Sequence, residues 1–239
     1  MRGGRAPATP RRWRLGLLLV LAAGFGLGGL GLWATLRGDP PRPPLSADRA
    51  EVMARRVAVA LDDVQASWDR ALPRAFGHSY RPAELVLVSG PTEACGAGGT
   101  HAPFYCRETR QAVVDLAFLD ALGERLRRQE EIGTALVVAR ILAEHVQAEI
   151  GLNTELLQAD CLTGAWAASA EDRLGPVPPG FYRQLILVSR NVRADGRMEA
   201  PAKLDPIGPG AAEGRDAAFA AGYLAGDPAW CIAPGAPAG

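Results

Sequence analysis

The stretch "ALVVARILAEHVQAEIG", residues 135–151, decides the fold. It reads as a buried helix leading directly into a second one that carries "LLQADCLTGAWA" (156–167). Four ionisable side chains interrupt the apolar run: Arg140, Glu144, His145 and Glu149. Arg140 and Glu144 stand at i, i+4, as do His145 and Glu149, so each pair can share a helix face.

Working outward, helices are expected over 117–130, 133–150 and about 153–170. Another follows the "GPVPPG" turn as "FYRQLILVSRNVRA", and a last one spans 216–227 before Cys231. Upstream, Ser46 can cap a helix in which Val57, Leu61, Val64 and Trp68 form one apolar face. That helix should end near Pro73, where a helical hydrogen bond is lost. "AELVLVS" (83–89) is a short apolar strand closed by the Gly90-Pro91 turn. "APFYC" and "AVVDLAFL" flank the polar "RETRQ", which suggests a hairpin. The class is α+β: a mainly helical domain with a small sheet near its start.

Residues 15–36 carry no charge and would span roughly 33 Å as a helix, enough to cross a bilayer core. Five arginines precede that run and no acid does, so the 1–14 segment is expected in the cytoplasm and the remainder outside it, periplasmic or extracellular. The run is long for a signal peptide and no A-x-A-like site follows, which favours an uncleaved anchor. Gly24 and Gly28 form a G-x-x-x-G that would permit a homodimer. Residues 37–45 form a proline-rich spacer, 46–232 a single extracytoplasmic domain, and 233–239 a tail expected to be disordered.

Net charge is zero over the 239 residues and no basic stripe is present, which argues against a nucleic-acid partner. Four cysteines, Cys95, Cys106, Cys161 and Cys231, all lie beyond the anchor. An even count in an oxidising compartment points to two disulfides, and no C-x-x-C offers zinc. Of three possible pairings, Cys95–Cys106 with Cys161–Cys231 is the simplest.

Several pieces match one family in order. "APFYCRETRQAVVDLAFLDAL" resembles its "GPFYCPxDxxVYLDxxFF" hairpin. "VVARILAEHVQAEIG" resembles "VIAHEVGHHVQxxLG", and "LLQADCLTGAWA" resembles "ELQADCxAGVWA". "FAAGYLAGDPAWC" resembles the closing "FxxGxxxGDPxxC". This is the family of bacterial neutral zinc metallopeptidases, small membrane-anchored proteins, and the resemblance covers about residues 47–232. It implies a zinc site built on H-E-x-x-H, with two histidines on one helical face, a glutamate as general base, and a third ligand opening "ELQADC".

None of those residues is kept. The resemblance places the first histidine at Arg140, the base at Ile141, the second histidine at Glu144 and the third ligand at Leu156. The chain has three histidines, His78, His101 and His145, and no two are four apart, so no H-E-x-x-H exists anywhere. Arg140 would put a cation where the family holds zinc, and Glu144 could pair with it.

The expectation is therefore a pseudopeptidase without a cofactor: zinc is implied by the resemblance, but its ligands are absent. Its cleft could still take a peptide or protein partner. An alternative is a hydrolase with a rebuilt metal site around His145, Glu149 and Asp160. A third is a membrane-anchored structural protein. A metal-free hydrolase lacks any nucleophile elbow such as G-x-S-x-G.

Overall fold

Ser46 does start the first helix among the described residues: its side chain accepts from the Arg49 N–H, and α1 runs Ala47–Phe76. The structure, a computed structural model, describes residues 45–89, 92, 95, 103–190 and 211–233. Val57, Leu61, Val64 and Trp68 are all buried, each contributing about 1.5–3 kcal/mol relative to exposure. The expected end near Pro73 holds to within three residues. Pro73 lies inside the helix, which continues to Phe76 and ends at Gly77, whose φ of 69° no branched residue would tolerate. The Gly77 N–H closes on the Pro73 carbonyl at 3.2 Å. Proline one turn from a capped end removes one hydrogen bond from a long ladder, and the burial of α1 outweighs that loss.

The sheet has three strands, β1 (Glu84–Val88), β2 (Phe104–Cys106) and β3 (Gln111–Asp115), in the order β1-β3-β2. β2 and β3 form the expected antiparallel hairpin, with Phe104 opposite Val113 and Cys106 opposite Gln111. β1 runs parallel to β3. The second arm stops at Asp115, in keeping with a helix expected from 117. The Asp115 carboxylate accepts from the Ala117 and Phe118 N–H groups and so starts α2 (Leu116–Leu126).

A 3₁₀ turn over Arg127–Gln129 then leads into α3 (Glu130–Glu149). From Ala135 to Ala139 and from Ile141 to Ala143 every α3 residue is buried, so the helix is enclosed on nearly all sides. α4 (Leu156–Leu174) starts and ends later than the sequence suggests, and α5 covers Phe181–Arg190. α6 spans Ala211–Ala225, beginning at least five residues before the expected start, and a 3₁₀ turn covers Pro228–Ile232. The described residues are thus mainly helical with one small sheet.

Both disulfides follow the local pairing, Cys95–Cys106 and Cys161–Cys231, each with Cα atoms 5.7 Å apart. The second is fully buried and ties the last 3₁₀ turn to α4. α4 and α6 cross in direct backbone contact. A Cβ added at Gly164 would lie 2.0 Å from the Phe219 carbonyl oxygen, and one at Gly222 would lie 1.9 Å from that of Cys161.

Among the described residues no helix is long and apolar enough to cross a membrane. The 15–36 run, with Gly24 and Gly28, lies outside them, as do His101 and most of the 233–239 tail.

Candidate functional site

The α3 helix presents two faces with different chemistry. On one, Arg140, Ile141 and Glu144 line a cavity of about 420 Å³, and Leu156, at the first turn of α4, lines it too. The four positions assigned by the family pattern therefore come together in one place, with Tyr182 of α5 and Arg215 of α6 beside them.

Beneath the cavity lies Asp160 of α4, fully buried. Arg140 Nε donates to its Oδ1 at 2.8 Å, while Arg140 Nη1 donates to Glu144 Oε1 at 2.8 Å. Arg215 grips the same carboxylate with two prongs, Nε to Oδ2 at 2.7 Å and Nη2 to Oδ1 at 2.8 Å. The Tyr182 hydroxyl adds a fourth donor to Oδ1 at 2.6 Å. Three helices thus converge on one carboxylate of a fourth. Two guanidiniums face two carboxylates, so the formal charge of the cluster is zero. Such pairs are tolerated in an interior only when balanced and fully hydrogen-bonded. Burial, reinforced by the Asp160 charge, pushes the Tyr182 phenol far above its usual range, so it stays a donor. Burial works against the charged form of Arg140, but Asp160 and Glu144 outweigh it and the net shift is upward.

The other face of α3 carries His145, also fully buried. Its Nε2 lies 2.7 Å from the Arg81 carbonyl oxygen, which can only accept, so this nitrogen bears the proton. Its Nδ1, 2.8 Å from the Tyr105 hydroxyl, then accepts. Tyr80 packs edge-on at 5.3 Å. Glu149 is claimed by Arg81, with bonds of 2.9 and 3.1 Å. His145 and Glu149 therefore tie α3 to β2 and to the approach to β1, while Asp160 serves the opposite face. The structure does not gather the three.

Burial lowers the His145 pKa, outweighing the Arg81 carbonyl and Glu149, while Arg110 and Arg81 add to the lowering. As pH falls below the ordinary histidine value of about 6.5, the unfolded chain gains a proton that the native imidazole refuses. Stability should therefore fall with pH in that window, at no more than about 1.4 kcal/mol per pH unit from this residue. Denaturant unfolding of the wild type and His145→Gln between pH 7 and pH 5 should show the shallower slope in the variant. Equal slopes would remove His145 from the pH response.

Zinc takes imidazole nitrogen, thiolate sulfur and carboxylate oxygen. The cavity offers no imidazole, and a guanidinium stands where the family pattern places the first histidine. These residues do not fit the ion. Among the described residues one group brings three metal-ligand atoms together, Cys95, Cys106 and Glu108. Its two sulfurs are bonded to each other, so it supplies no thiolate.

The sequence reading missed Tyr182 and Arg215. Neither lies in a motif that marks it, and Arg215 reaches Asp160 across 55 residues. Only the structure brings them in. His78 is exposed, as its loop position suggests.

Residues 40–156 match a family model described as "Putative neutral zinc metallopeptidase". The chain is also similar to the protein named uncharacterized protein YpfJ in Escherichia coli K12. The two are 25% identical over 245 residues, covering 90% of this chain and 84% of the relative. The same figures hold for the YpfJ of Escherichia coli O6:H1. No solved structure matches.

Proposed function

We propose that the chain, whose residues 40–156 match the neutral zinc metallopeptidase family, is a non-catalytic member of it, a pseudopeptidase that keeps the cleft without the chemistry. The observation that carries this reading is Arg140. Its guanidinium, bonded to Glu144 and Asp160, stands at the position of the first zinc-binding histidine. Ile141, at the position of the general base, has no lone pair to move a proton. Leu156, at the third ligand position, has none to offer a metal. The fold is the family's metallopeptidase-like domain over 46–232. In this reading residues 15–36 anchor it in a membrane with the domain outside the cytoplasm. The cleft then serves recognition of a peptide or protein.

The test is metal content. Purified full chain, exposed to zinc and to manganese and then washed, should hold no metal above background by elemental analysis and should leave casein intact. About one tightly held ion per chain would overturn the proposal and return attention to His145, Glu149 and Asp160.

A further inference from the structure

We propose that the cavity beside Arg140 and Arg215 receives the C-terminal residue of a peptide, one with a large apolar side chain. This rests on the reading of the cleft as a recognition site.

The argument starts from unused hydrogen-bonding capacity. A guanidinium carries five N–H donors. Arg140 commits Nε and Nη1, and Arg215 commits Nε and Nη2. Among the described residues nothing bonds Arg140 Nη2 or Arg215 Nη1. They are not sealed in. The enclosed side-chain atoms without a partner, among the described residues, are Trp68 Nε1, Gln147 Oε1 and Trp166 Nε1. Both guanidiniums bond the same Asp160 oxygen, so they sit side by side, and both line the cavity. Adjacent free guanidinium edges suit a carboxylate, which accepts through two oxygens.

Glu144 supplies the complementary group. Its Oε1 is taken by Arg140 while the residue is partly open at the cavity, leaving Oε2 to accept one N–H. A carboxylate and an N–H on the same carbon describe a residue at a chain end. A free amino acid would bring an ammonium with three N–H donors to a place where one Glu144 oxygen remains to accept. A peptide bond brings a neutral N–H. The walls fix the side chain: Phe104, Phe118, Leu136, Leu185 and Ile186 are apolar. The volume of about 420 Å³ falls within the range of about 300–1,000 Å³ typical of ligand pockets.

Calorimetric titration of the full chain should compare N-acetyl-alanyl-phenylalanine, its C-terminal amide and free phenylalanine. The acid is expected to bind at least about tenfold more tightly than either of the others. Arg215→Gln should weaken the acid by about tenfold and leave the amide unchanged. If that variant does not fold, the comparison of acid and amide on the unaltered chain still decides. An acid no tighter than its amide, or no binding into the millimolar range, would overturn the proposal. Free phenylalanine binding as well as the peptide would overturn the peptide as occupant. A chain free of metal that binds none of the three keeps the pseudopeptidase reading and loses only this inference. A chain that holds zinc and cleaves peptide loses the pseudopeptidase reading.

Discussion

Asp160→Asn should destabilise the protein by about 3–5 kcal/mol, the cost typical of removing one partner from a buried ion pair. The substitution keeps shape and removes charge. Arg140 and Arg215 would then share one remaining carboxylate, Glu144, which Arg215 does not reach in the structure. The new amide would also point a donor at donors already in place. For a domain of this size such a loss lowers the melting temperature by roughly 6–20 °C. Urea unfolding of the wild type and variant, followed by circular dichroism, measures it. A change below about 1 kcal/mol would mean that the cluster is solvated and does not hold the helices together. Arg215→Gln should cost less than Asp160→Asn, because Asp160 then keeps Arg140 and Tyr182.

Gly222→Ala is the second substitution with a large expected effect, about 3 kcal/mol or more. The added methyl would meet the Cys161 carbonyl oxygen at 1.9 Å, and that atom is main chain, so no side-chain rotation relieves the clash. α4 and α6 would have to separate. Gly164→Ala strikes the same crossing from the other side, against the Phe219 carbonyl. The two costs should not add, since one displacement accommodates both. Gly226→Ala is the control. Its φ is 62° but its surroundings are open, so only local backbone strain of about 1 kcal/mol is expected. Equal effects at 222 and 226 in thermal unfolding would show that the two helices give way to the added methyl at little cost.

The legible parts of this chain were those written locally. Ser46 announces α1 because its side chain bonds three residues ahead. The unbroken apolar stretches of α3 announce an enclosed helix. The degenerate positions Arg140, Ile141, Glu144 and Leu156 were readable because a motif fixes their spacing on one turn, and they do line one cavity. Pro73 marked the end of α1 to within three residues, and the burial of the helix around it carries the last turn past the proline. The capping role of Asp115 was not legible, because it depends on where the side chain turns, which alternation of apolar residues does not encode. Arg215 and Tyr182 were invisible for a different reason. Their partner is set by how α5 and α6 pack on α4, and in one sequence an arginine bound for the interior looks like any other.

The Cys161–Cys231 bond closes a covalent ring of the intervening chain, which includes α5, α6 and everything between them. A single protease cut anywhere inside that ring would open the chain without releasing a fragment. The two halves would stay joined at the residue next to Asp160. On an electrophoresis gel the nicked protein should migrate as one species until a reductant is added and then as two. A preparation judged intact under oxidising conditions can therefore already carry a severed backbone, while the close α4–α6 crossing and the buried arginines keep it assembled.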